Sequence, residues 1–310
     1  MEKFNPKKED EEKKCAPSKK YTEDSCFTIE SLTKMAEAYN KQIKDGKIKE
    51  KEIVINNDKK SLVKQLTERL KGVCDNQICW LKQDFIKQMN DKEINDETFR
   101  PLGPQGKFTW LNTTNIDEIM GQYEEQYPEF VFLGAVPIDF DKLEYLGIRD
   151  LDFDDLITKN KKTKIGIVFN FDEHWQSGSH WVAMFVDLLK NQVYYFDSYG
   201  TRPKKRIRNL VNRIAKWCYH RNVLNKKDKL ENSITEHSFM MPSKSNYIEK
   251  ELKHIKYNKT RHQFKNSECG VYSVNFILRL LKGEDFEDIC KNITSDDEVN
   301  KCRKVYFRFI

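Results

Sequence analysis

A thiol, an imidazole, a carboxylate and a side-chain amide recur in three distinctive strings: His180 in SGSHW, Asp197 in YYFDSYG, and Gln263 and Cys269 in HQFKNSECGVYS. These residue types together can do thiol chemistry. A thiolate attacks, an imidazole generates it, a carboxylate orients the imidazole, and an amide N–H stabilises the oxyanion that forms. The combination points to hydrolysis through a covalent acyl intermediate, the reaction of a cysteine protease.

The elements around these residues give each a physical place. Gly270 to Leu281 (GVYSVNFILRLL) is apolar on nearly every face and ends at Lys282-Gly283, so Cys269 opens a buried helix. Unsatisfied N–H groups and the macrodipole at that end favour a thiolate and donate to an oxyanion beside it. Gly270, without a Cβ, leaves room for a substrate carbonyl. Gln263 lies six residues upstream, in the loop leading to the helix, as a second oxyanion donor. WVAMFVDL (181–188) and QVYYFD (192–197) read as two buried strands joined by a turn at Lys190-Asn191. His180 precedes the first strand and Asp197 closes the second. A turn at 190–191 sets Asp197 opposite Met184, so contact with His180 requires the residues before Trp181 to curl over the sheet edge.

Each reading has a plainer rival. Cys269 alone reads equally well as a core cysteine. His174-Trp175 repeats the His-Trp pair, but it precedes a polar, glycine-containing stretch instead of a strand. His220, His237 and His254 read as surface residues, and nothing in the spacing requires His262.

With these strings in view, the chain resembles the ubiquitin-like-protein-specific cysteine proteases, the superfamily of adenovirus protease and the SUMO proteases. The order His180, Asp197, Gln263, Cys269 carries the likeness, together with WLNTTNIDEIM (110–120), which resembles the segment opening the catalytic domain. NFDEHWQSGSHWVAMFVD, FVFLGAVPIDF and a lysine-rich N-terminal extension resemble the polyprotein-processing proteases of large cytoplasmic DNA viruses, the African swine fever virus type. The resemblance implies an α+β fold with a central, mainly antiparallel sheet, a buried nucleophile-bearing helix and a small N-terminal helical arm. It also implies cleavage after Gly-Gly in viral structural polyproteins, in the host cytoplasm and virion. Trp110 and Trp181 would flank the substrate, since two indoles across an extended strand admit glycine and exclude larger residues.

Composition bounds these expectations. The chain has 310 residues, 38% hydrophobic and 34% charged, with a formal net charge of +6. No apolar run approaches a membrane span, and the N-terminus lacks the apolar core of a secretory signal. A reducing compartment follows, and with it no structural disulfide; the cysteine spacings match no metal knuckle, so neither metal nor cofactor is expected. Residues 1–20 read as a disordered charged tail, 21–100 as a helical arm and 101–310 as the catalytic domain. Within the arm, 29–43, 60–73 and 78–89 carry helical periodicity. RPKKRIRNLVNRIAKWCYHRNVLNKKDK (202–229) reads as a helix with a solvated basic face, and weak nucleic-acid contact is its functional alternative. Two other functions stay open: an isopeptidase removing ubiquitin-like modifiers, and an inactive fold serving as a nucleic-acid-binding or scaffold protein.

Overall fold

Among residues 14–106, 108–230 and 255–308, which the structure, a computed structural model, describes, the chain divides into two units. One comprises Pro6–Gly103 with Lys304–Ile310. Its first helix, α1 (Ile29–Lys44), begins where the Thr28 hydroxyl accepts the Ser31 N–H at 3.1 Å, and it buries Leu32, Met35, Ala36 and Tyr39 on one side. α2 (Lys59–Leu70) is capped by Asp58 and buries Leu62, Val63, Leu66 and Leu70. The single helix expected over 78–89 is instead two short ones, α3 (Gln77–Trp80) and α4 (Asp84–Lys87). The bend between them lets Trp80 and the Phe85–Ile86 pair enter one apolar cluster.

Three expectations need correction in this unit. Of the stretch read as disordered, residues 1–13 lie outside the described residues, but Lys14–Lys20 is tied down. The Arg100 N–H donates to the Lys14 carbonyl at 2.9 Å, and the Ala16 N–H to the Thr98 carbonyl at 2.9 Å. Disulfides join Cys15 to Cys26 and Cys74 to Cys79, where none was expected. Sequence spacing tests for metal knuckles, whereas folding brings each pair to a Cα separation of 5.4 Å, within bridging range. Lys304–Ile310, read as part of the catalytic domain, clusters with this unit.

The second unit, Pro104–Arg303, is built on a sheet in the order β1 (Phe130–Val136), β2 (Lys164–Asn170), β3 (Trp181–Asp187), β4 (Gln192–Phe196), β5 (Ile255–Tyr257). The sheet is mixed. β2–β3 and β3–β4 are antiparallel, as expected for the centre, but the outer pairs β1–β2 and β4–β5 are parallel. Parallel neighbours need a crossover, and the intervening segments carry α6 (Phe153–Thr158) and α7 (Lys205–Leu230). Ahead of the sheet, α5 (Thr113–Gln126) starts with an Asn112–Asn115 capping box. Its Asp117 accepts the Ala135 N–H at 2.8 Å where β1 bulges.

Helices cover both faces of the sheet. Ile207, Leu210 and Ile214 of α7 join the apolar cluster formed with Ile167, Met184 and Tyr195 on one face. On the other lies α8 (Cys269–Leu281), buried at all 13 positions and packed on β3, itself buried throughout. α9 (Phe286–Lys291) and α10 (Asp296–Lys301) follow, and the unit ends at Arg303, the first residue of α11 (Arg303–Tyr306). This sandwich explains why both strands and the helix read as apolar runs, because each is enclosed on two sides.

Candidate active site

The β3–β4 register decides whether Asp197 can reach His180. Ala183 pairs with Phe196 and Asp187 with Gln192, so the next position places Asp197 opposite Val182, two residues nearer His180 than the turn at 190–191 suggested. Contact follows. His180 Nε2 and Asp197 Oδ1 are 2.7 Å apart, with both side chains buried. The pair leaves Nδ1 as the ring nitrogen available to a second partner.

The carboxylate is fixed from several directions. Asp197 Oδ1 also accepts the Tyr199 N–H at 2.9 Å, while Thr201 donates its hydroxyl to Oδ2. Asn258, distant in sequence, clamps the Asp197 backbone by accepting its N–H at 2.8 Å and donating to its carbonyl at 2.7 Å. The chain then turns sharply: Gly200 donates to the Asp197 carbonyl at 2.7 Å with a φ of +73°. A Cβ at Gly200 would stand 2.9 Å from the Thr260 carbonyl carbon, so glycine is required on both counts. His180 is held between aromatic rings, stacked on Tyr199 at 4.5 Å between centroids and edge-on to Phe171 at 5.2 Å.

The electrostatics follow from this geometry. Burial opposes charge on the imidazole, but the hydrogen bond to Asp197 and the interactions with the Asp197 and Cys269 groups outweigh it and raise His180 to about 9. Burial likewise pushes the Asp197 carboxyl up, and hydrogen bonds from His180 and Thr201 more than offset this, holding it below its ordinary value. An imidazolium–carboxylate pair at neutral pH is the result. Cys269, 2% exposed, is the first residue of α8, where N–H groups of the first turn lack helical partners. Such a site can hold a thiolate beside an imidazolium and donate N–H groups to an oxyanion.

Gln263 enters the same loop system. It is fully buried, its Oε1 accepting from the Ser198 hydroxyl at 2.6 Å and its Nε2 donating to the Lys265 carbonyl at 2.8 Å. Ser198 follows Asp197, so the amide is anchored to the strand that presents the carboxylate. Asn170 is a comparable organiser that sequence reasoning missed. Its Oδ1 accepts the N–H groups of Asp172 and Ser179 at 3.0 and 3.1 Å, closing the loop that delivers His180.

The other histidines are accounted for separately. His174 is half-exposed and bound to Asp139, with Nδ1 and Oδ2 at 2.7 Å. His262 is buried against Phe196 and Tyr272, and burial lowers its pKa. His220 is exposed on α7, and His237 and His254 lie outside the described residues. Several basic side chains of the α7 region are engaged locally: Lys204 lies over the Phe171 ring, Arg206 pairs with Asp141 and Arg213 donates to the Ile148 carbonyl. Lys205, Arg208 and Lys216 are exposed; the side chains of 222–230 are outside the described set.

A cleft of about 490 Å³ has Trp110 and Trp181 on its wall, together with Leu111, Asn170 and His174. Trp110 is exposed, whereas Trp181 is buried with its indole N–H donating to the Leu111 carbonyl at 2.8 Å. Gly270 also answers a packing need. A Cβ at Gly270 would meet Leu111 Cβ at 3.0 Å and Trp181 Cδ1 at 3.3 Å, so glycine is needed for α8 to pack under the Leu111–Trp181 contact. Gly270→Ala is therefore expected to destabilise the protein by about 1–3 kcal/mol, the usual cost of overpacking, measurable by urea unfolding. An unchanged midpoint would mean that the contact yields freely.

A buried imidazole–carboxylate pair beside a mixed sheet in an α+β fold, with a thiol opening a buried helix packed on that sheet, has the residue types of a cysteine-protease site. Residues 160–308 match the Ulp1 protease family, C-terminal catalytic domain. A putative thiol protease of Acanthamoeba polyphaga mimivirus is 37% identical over 309 residues, covering 95% of this chain and 93% of the relative. A SUMO-1 cysteine protease of African swine fever virus is 24% identical over 273 residues, covering 80% and 90%. The crystal structure of the African swine fever virus protease superposes with a TM-score of 0.60 at 20% identity, covering 97% of each chain, and so shares the fold. The chain belongs to the Ulp1/adenain-like superfamily of cysteine proteases, and it is a thiol protease.

Proposed function

We propose that this protease is a viral endopeptidase that cleaves structural polyproteins after Gly-Gly during virion maturation, working in the host cytoplasm and in the particle. The observation that carries the reading is the buried His180–Asp197 contact of 2.7 Å, in the same unit as Cys269 at the start of α8. Both relatives named above are viral proteins, which supports the setting.

In this reading, Cys269 is the nucleophile and His180 the base. In the resting site His180 Nδ1 already carries the proton given up by the thiol, and Asp197 holds this imidazolium through Nε2. The thiolate attacks the carbonyl carbon of the second glycine. The Cys269 backbone N–H and Gln263 Nε2 donate to the oxyanion, and His180 returns its proton to the departing amine. Water, deprotonated by His180, then attacks the thioester carbonyl carbon; the C–S bond breaks, the acyl group leaves as a carboxylate product, and the thiolate–imidazolium pair is restored. Trp110 and Trp181 border the approach, with Trp181 packed against the Gly270 backbone.

Substrate preference tests the finer claim. A peptide with Gly-Gly before the scissile bond is expected to be cleaved at least about tenfold faster, as kcat/KM, than its Ala-Ala counterpart. Equal rates would remove the Gly-Gly assignment. A folded modifier linked to a fluorophore serves as the competitor: strong preference for it over the short peptide favours an isopeptidase. Absence of cleavage on either substrate favours the inactive scaffold.

A further inference from the structure

Two buried ionisable side chains engage the segment that ends in Cys269 without a step in the chemistry. Glu268, the preceding residue, is fully buried, and its carboxylate accepts the Ser267 N–H at 3.0 Å and the Ser267 hydroxyl at 2.7 Å. A carboxylate buried next to a thiol opposes the thiolate, because like charges away from water each disfavour the other's ionised form. The nucleophile would be handicapped unless a cation balanced it.

Arg303 meets that need. It opens α11, is 1% exposed, and belongs to the same unit as Cys269. Its Nε donates to Asn300 Oδ1 at 2.7 Å and its Nη2 to the Ser267 carbonyl at 3.0 Å, gripping the segment that ends in the nucleophile. Nη1 is buried and reaches no hydrogen-bond acceptor among the described residues. A guanidinium stays charged at any working pH; burial lowers its pKa here, and the nearby Glu268 and Cys269 act against that lowering. Burying such a cation is costly, and an apolar side chain of similar volume commonly packs as well or better. Stability alone is thus a weak reason for Arg303 to be there.

We propose that Arg303 is a positioning residue for Cys269: it fixes the Ser267–Cys269 segment through the Ser267 carbonyl and balances the Glu268 carboxylate, so that the adjacent sulfur can carry negative charge. The inference rests on the reading of Cys269 as nucleophile. Arg303 touches no substrate and acts only through the loop and its charge.

The test is the pH dependence of Cys269 alkylation by iodoacetamide, with the modified residue identified by peptide mass mapping. Arg303→Gln is expected to raise the midpoint of thiolate formation by about one pH unit, with Arg303→Lys closer to wild type. Adding Glu268→Gln to Arg303→Gln should return the midpoint toward the wild-type value, because the unbalanced carboxylate is gone. A folded Arg303→Gln protein with an unmoved midpoint, or a double variant that fails to recover, overturns the proposal. If Arg303→Gln does not fold, Glu268→Gln alone decides: a lowered midpoint supports charge balancing and an unchanged one contradicts it. Absence of alkylation at Cys269 in the wild type would instead remove the nucleophile reading itself.

Discussion

Replacing Cys269 with alanine is expected to reduce cleavage of a Gly-Gly peptide by about 10⁴-fold or more while leaving the fold in place. In free energy this is about 5 kcal/mol or more of transition-state stabilisation, too much to be supplied by any contact around the site other than a covalent one. The substitution exchanges one small side chain for another at a position 2% exposed, so the packing of α8 on β3 changes little. Measurement of kcat/KM together with the thermal midpoint separates the two effects. Retained cleavage by a folded Cys269→Ala protein would move the nucleophile elsewhere.

His180→Ala is expected to cost about 10⁴-fold at neutral pH, for a different reason. The sulfur remains, but it loses the base that ionises it, and Asp197 is left buried with its carboxylate short of a partner. The pH profile makes the role specific. Because the His180 pKa is raised to about 9, the imidazolium persists through neutral pH and activity should decline on the alkaline side near that value. Asp197→Asn keeps an oxygen for Nε2 but removes the charge, so the alkaline limb should fall toward the ordinary imidazole value of 6.5. A limb unmoved by Asp197→Asn would detach Asp197 from the histidine.

The same pair makes stability pH-dependent in two directions. A raised folded-state pKa means that the His180 contribution is fully present below pH 6.5 and is lost as pH rises through about 9. Asp197, held below its ordinary 3.8, contributes above that pH, and its contribution is lost as acid protonates it. Between these limits both groups are charged and the contact is intact.

How much of this was legible in the sequence depended on how local each cause is. The α8 helix and the strands β3 and β4 were readable because a buried element carries its burial in its own residues. Cys269 at the helix start and His180 at the strand start followed from those elements. The position of Asp197 did not, because register depends on where the turn lies, and a shift of two residues separates opposite Met184 from opposite Val182. The parallel outer pairs were missed for a related reason: β5 is three residues long and its pairing with β4 is set by a distant crossover.

Support for the site was least visible. Asn258 clamps Asp197 across 61 positions, and Arg303 grips Ser267 across 36. No periodicity or motif marks such partners, since each is a polar residue whose meaning is given only by what folding puts beside it. The disulfides illustrate the opposite error. Spacing was read as chemistry where three-dimensional proximity was the deciding quantity, and both bridges lie outside the protease unit.

The central claim is that His180 and Asp197 activate Cys269 for attack beside a Gly-Gly segment. The most direct test is labelling the folded protein with a Gly-Gly vinyl sulfone at neutral pH and mapping the adduct by mass spectrometry. The account predicts a single adduct on Cys269, formed in the wild type and largely absent in folded His180→Ala. An adduct on Cys218, Cys290 or Cys302, or equal labelling of Cys269 without His180, would contradict it.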